Sequence, residues 1–116
     1  DDVLENYVHV MVASGRSVQA LSFINQLISS APPKLKSSLY YERSFLQSGE
    51  ENALSDLRYS LMSNPRNSSS LFRLYQIYFN KKDYRKAQYY LKQVSALKPN
   101  DEQIRSLTDE LNSLLR

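Results

Sequence analysis

The sequence predicts an all-α fold made of repeated helical hairpins. Three observations predict it. Ala20, Ala53 and Ala87 recur at intervals of 33 and 34 residues, and each is followed twelve positions later by a proline, Pro32, Pro65 or Pro99. A period of that length marks a helical repeat array. Apolar residues between these marks recur at steps of three and four, which is the spacing of a helix face and not the alternation of a strand. The chain holds only two glycines and four prolines, and they fall where turns and repeat ends are needed.

The elements follow in order. Leu4, Tyr7, Val8 and Met11 form the stripe of a first helix over residues 2–14. Gly15 then supplies the positive φ that ends a helix at little cost. Ala20, Leu21, Ile24, Leu27 and Ile28 define a second helix, 17–30, stopped before Pro32. A third helix, 35–48, carries Leu39, Tyr41, Phe45 and Leu46, and Gly49 closes it. Ala53, Leu54, Leu57 and Leu61 lie on a fourth, 51–63, which ends ahead of Asn64-Pro65. Leu71, Leu74, Tyr75 and Tyr78 place a fifth at 68–81. At the next turn Lys82 stands where the earlier repeats have glycine, a departure that carries a cost if the backbone is the same. Ala87, Tyr90, Leu91 and Val94 form a sixth helix, 84–97, before Lys98-Pro99, and Ile104, Leu107, Leu111, Leu114 and Leu115 a seventh, 101–115. Asn67-Ser68 and Asn100-Asp101 offer short polar side chains as helix caps.

With these residues in place the chain resembles the tetratricopeptide repeat, a helix–turn–helix unit of 34 residues. The third copy, with Leu71, Leu74, Tyr75, Tyr78, Tyr84, Ala87, Leu91, Val94 and Pro99, carries the fullest signature. The first matches through Leu4, Tyr7, Met11, Gly15, Ala20, Ile24, Leu27 and Pro32. The second departs most: Glu42 replaces the usual small residue, and its turn is one residue shorter. The resemblance implies a single domain, a right-handed α-solenoid of three repeats at about 1–33, 34–67 and 68–101, with 102–116 as the helix that solvates the end. It also implies a scaffold for protein–protein interaction, since such repeats serve many pathways as binding modules.

Composition narrows the chemistry. The 116 residues are one domain's worth, and 41% are hydrophobic, enough for a core. No apolar run approaches the ~18 residues of a membrane span, and no basic-then-apolar leader opens the chain. Without cysteine there is neither a disulfide nor a thiolate nucleophile. His9 is the only histidine, with no second ligand of its kind to build a metal site. Two glycines cannot supply a phosphate-cradling loop, and the serines read as cap and loop residues. The expectation is a non-enzyme without cofactor or metal.

Charge is unevenly distributed. Residues 1–65 carry five basic and seven acidic side chains, whereas residues 66–98 carry eight basic ones against Asp83 alone. The third repeat thus forms a basic zone that attracts anionic partners, unless it serves solubility alone. Interleaved tyrosines invite a nucleic-acid reading. Tyr75, Tyr78, Tyr84 and Tyr90 occupy packing positions of the repeat, however, and only Tyr89 is left over, so an acidic protein or peptide is preferred.

In the family resembled, the first helix of each repeat lines a concave groove. Helical phase assigns His9, Tyr40, Arg43, Phe72, Arg73, Gln76 and Phe79 to that lining, with Glu5, Asn6, Leu39, Gln47 and Asn80 beside them. Aromatic residues and arginine dominate binding energy at interfaces. Arg43 and Arg73 suit a carboxylate, and Phe72, Phe79 and Tyr40 suit apolar side chains, if the two phenylalanines are not absorbed by packing. Some members clamp a chaperone's C-terminal carboxylate with Lys, Asn, Asn, Lys and Arg. The aligned residues here are Glu5, His9, Tyr40, Ser69 and Arg73, which argues against that role. A second expectation concerns the first helix: Val3, Val10 and Val12 add apolar surface suited to an earlier repeat or a second copy of the chain, making this a structural assembly module. A third is an accessory segment of a larger protein. Asn67-Ser68-Ser69 matches a glycosylation triplet.

Overall fold

The computed structural model describes residues 2–116; Asp1, the first residue of the first expected repeat, lies outside them. All regular structure among the described residues is helical. The elements are α1 (Asp2–Ala13), α2 (Ser17–Ile28), α3 (Pro33–Arg43), α4 (Glu50–Ser63), α5 (Ser68–Asn80), α6 (Tyr84–Leu97) and α7 (Glu102–Leu114). They gather into two units that meet in sequence at Asn67 and Ser68, the expected boundary between the second and third repeats.

In the first unit α1 packs on α2 and α3, and α3 packs on α4. Val8, Ile24, Leu35 and Leu39 form its central cluster, with Leu4, Val12, Phe23 and Leu27 against it. In the second unit α5 packs on α6 and α6 on α7. Leu71, Leu74, Leu91, Val94 and Leu111 are all but fully enclosed there. Ala20 and Ala87 have no exposed surface and Ala53 has 7%. A larger side chain at these positions would have to push helices apart.

Turn chemistry follows the sequence closely. Gly15 and Gly49 have φ of 79° and 92°, and Lys82 takes the same left-handed region at 60°. Asp83 caps α6 by accepting from the Lys86 N–H, and Asp101 caps α7 by accepting from the Ile104 N–H. Both are the side-chain caps that satisfy otherwise orphaned first-turn donors.

Three expectations are corrected. Helix α3 begins earlier and ends earlier than 35–48. Pro33 fits the first helical position because its missing N–H has no partner there anyway. At the other end the Ser44 hydroxyl donates to the Tyr41 carbonyl at 2.6 Å, and the Phe45 and Leu46 amides bond only three residues back, so the helix tightens and stops. Phe45, now outside the helix, is 45% exposed with its ring edge-on to Tyr41. Tyr7, expected in the core, is 53% exposed and meets Phe23 edge-on at 5.3 Å. Leu114, expected to cover the end, is also largely exposed.

The interface of α3 and α4 holds a polar contact with no apolar signal in the sequence. Ser37 and Ser60 are both fully buried, and each hydroxyl donates to the other residue's carbonyl, at 2.7 and 2.8 Å. The Asn67 amide reaches back to both hydroxyls, at 2.8 Å to Ser37 and 3.3 Å to Ser60. Buried hydroxyls are tolerated because they are paired in this way.

Candidate binding site

Phe72, Arg73, Gln76 and Phe79 come together on one cleft of about 470 Å³ in the second unit, between α5 and α7. Their spacing of one, three and four residues keeps them on adjoining faces of α5. Tyr75, Ile77 and Asn80 complete the α5 wall, and Gln103 and Leu107 line the cleft from α7.

The aromatic wall is continuous. Ring centroids lie 5.4 Å apart for Phe72 and Tyr75, 5.7 Å for Tyr75 and Phe79, and 5.4 Å for Phe79 and Tyr84. Each ring therefore restrains the next, at separations normal for offset aromatic pairs. Phe72 and Phe79 keep partial exposure, while Gln76, Asn80 and Gln103 are exposed. Arg73 is the one charged residue lining the cleft. Burial holds the Tyr75 hydroxyl above its ordinary pKa, helped by the Glu110 carboxylate, so it stays a neutral phenol. Apolar rings, three side-chain amides and one guanidinium can hold a bulky side chain while bonding to a peptide backbone.

The remaining expected groove residues belong to the first unit, and each has an internal partner. Arg43 donates to both carboxylate oxygens of Asp56 and, through Nη1, to Asn25 Oδ1 at 3.0 Å. Its guanidinium also lies 5.1 Å from the centre of the Tyr40 ring. It holds a carboxylate as expected of it, but that carboxylate is the chain's own. The Asp56 hydrogen bond raises the Arg43 pKa further. The Tyr40 ring meets Tyr59 at 5.3 Å. His9 Nδ1 lies 3.1 Å from Glu42 Oε2. Leu39, also assigned to the exposed lining, is 1% exposed and belongs to the core.

Glu42 is the odd residue of the second repeat, and its setting is now plain. Burial raises its pKa, against which the His9 hydrogen bond and charge act; Glu5 adds to the rise.

Sequence reasoning missed Tyr75, Gln103 and Leu107 as cleft residues. Tyr75 carried a core signal, and it does pack, yet one part of it also faces the cleft. Gln103 and Leu107 stand four apart on α7, the one available signal that they share a face. Of the apolar residues noted on α1, Val3 and Val10 are strongly exposed, whereas Val12 turns inward against the core cluster.

No group of three or more His, Cys, Asp or Glu side chains among the described residues is placed to hold a metal ion. None of their helices is long and apolar enough to cross a membrane. No protein-family model and no curated protein matches the chain.

Proposed function

We propose that this chain is a tetratricopeptide-type module, a right-handed solenoid of three repeats with a solvating last helix, and that it binds a segment of a partner protein. The binding site is the α5–α7 cleft. What carries this reading is the convergence of Phe72, Arg73, Gln76 and Phe79 on a single cleft of about 470 Å³. Half-exposed aromatic rings beside an arginine are the composition of interface hot spots. The ligand is an extended peptide or a short helix with a bulky apolar side chain for the ring wall and a carboxylate near Arg73, where the pair is charge-assisted.

The basic residues of the second unit support an acidic partner. Lys81, Lys82, Arg85, Lys86, Lys92 and Lys98 are all exposed, and such a field raises encounter rates with anionic chains. Binding chemistry, not catalysis, suits a site that holds one guanidinium, several amides and hydrocarbon.

Affinity capture with the wild-type chain and a Phe72→Ala/Arg73→Glu variant tests the reading. Loss of the captured partner with retained helical circular dichroism is expected. Equal recovery by both chains would sink the cleft as the binding site.

A further inference from the structure

The outer flank of the α1–α2 hairpin is unusual for a surface in water. From Asn6 to Pro33, Arg16 is the only lysine, arginine or acidic residue. Helix α2 carries none, although it exposes Val18, Gln19, Ser22, Asn25 and Gln26. Well-solvated surfaces carry roughly 25–35% charged residues, and α6 of this same chain has Arg85, Lys86 and Lys92.

The flank is also shaped. On α1, Val3, Tyr7 and Val10 follow at i, i+4 and i+7, which puts them on one side of the helix. They are 76%, 53% and 63% exposed, and Val18 at the start of α2 is 81% exposed. Beside these projecting side chains lies a recess of about 470 Å³, lined by Tyr7, Met11, Val18 and Phe23 with Gln19, Ser22 and Gln26. Glu5 and His9, also on α1, act on Glu42 of α3 and lie outside this recess.

Depletion of charge together with aromatic residues and methionine is the composition of an interface centre, not of a solvated face. We propose that a second copy of this chain docks on this flank, forming a two-fold dimer. The absence of charge selects that occupant. A two-fold contact lays the same patch on itself, so a charged patch would meet its own sign, and this one meets none. A charged partner would lose hydration here with no counter-charge to receive it. Projecting valines next to a recess are self-complementary, because the rotation that relates the copies carries each set of valines over the other's recess. This surface is separate from the α5–α7 cleft, and the proposal does not depend on what the cleft binds.

Sedimentation velocity of the full chain from about 1 to about 200 µM tests it. A concentration-dependent monomer–dimer equilibrium is expected, weakened at least ~10-fold by Val18→Asp and equally by Val10→Asp. Met62→Asp places the same charge on α4 at a site 78% exposed and should leave association unchanged. Circular dichroism confirms that all three variants keep their helices. A single monomeric species across the range would overturn the proposal and leave the flank to a different partner. So would equal weakening by Met62→Asp and Val18→Asp.

Discussion

Arg43 grips the carboxylate of Asp56 with two parallel hydrogen bonds, from Nε at 3.1 Å and from Nη2 at 2.7 Å. The pair joins α3 to α4, and Gln47 adds a third donor to the same carboxylate at 2.7 Å. Asp56 retains 2% of its side-chain exposure and Arg43 retains 21%. Removing Arg43 leaves a buried charge short of its counter-ion, whereas removing Asp56 leaves a guanidinium that can turn toward water. Arg43→Ala should therefore cost about 3 kcal/mol and Asp56→Ala about 1–2 kcal/mol. Urea unfolding of the two variants checks the asymmetry; equal losses would contradict it.

Lys82 holds φ of 60° where the two equivalent turns have glycine. A residue with a Cβ in the left-handed region costs about 1 kcal/mol. Lys82→Gly should recover most of that, tempered by the extra freedom glycine gives the unfolded chain. A melting temperature higher by about 3 °C is expected. A lower one would mean that the lysine side chain contributes more than its backbone costs.

Glu42 gives stability a pH dependence of definite sign. Its folded pKa lies above the unfolded value because the carboxylate is buried. Its contribution is therefore full below the unfolded pKa and is lost as pH rises through the folded one. Stability should increase as pH falls from neutral toward the carboxyl range, and Glu42→Gln should flatten that slope. His9→Ala removes the hydrogen bond and charge that oppose the shift, so it should steepen the slope. Chemical denaturation at several pH values measures all three.

Ala87 is fully enclosed. Enlarging it should separate α6 from its neighbours, at about 1–3 kcal/mol for Ala87→Leu. The same change at Ala53, which keeps 7% exposure, should cost less. Thermal unfolding ranks them, and the reverse order would show that the two alanines do not share a role.

Phe72 stands at the first end of the ring series along the cleft. Phe72→Ala should weaken a cleft-bound peptide by about 10-fold, the truncation cost of an interface aromatic. Met62→Ala, away from the cleft, should not change binding. Isothermal titration with a peptide identified by affinity capture gives both numbers.

The seven helices were legible because the alanine–proline period and the helical spacing agree at nearly every position. Where they failed, a local competitor had won. Phe45 fitted the stripe of α3 by spacing, but the Ser44 hydroxyl ended the helix two residues after Glu42. Tyr7 fitted the stripe of α1, yet its ring settled against Phe23 at the edge. The cleft was half legible. Phase alone places Phe72, Arg73, Gln76 and Phe79 on α5, but phase cannot say which side chains a partner helix already holds. Arg43 could be placed on α3 by counting; that Asp56, thirteen residues on, would occupy it could not. Buried polar contacts such as Ser37 with Ser60 leave no hydrophobic trace, so no periodicity finds them.

The Asn67 amide that seals the α3–α4 seam belongs to the triplet Asn67-Ser68-Ser69. A glycan is attached through that same side-chain nitrogen, which in the folded chain is half-buried and directed at Ser37 and Ser60. An oligosaccharide there would have to be added before the seam closes, and once attached it would keep the seam open. If the chain ever passes a glycosylating enzyme, folding and sugar transfer compete for one nitrogen atom, and the modified fraction becomes a record of how slowly α3 and α4 came together.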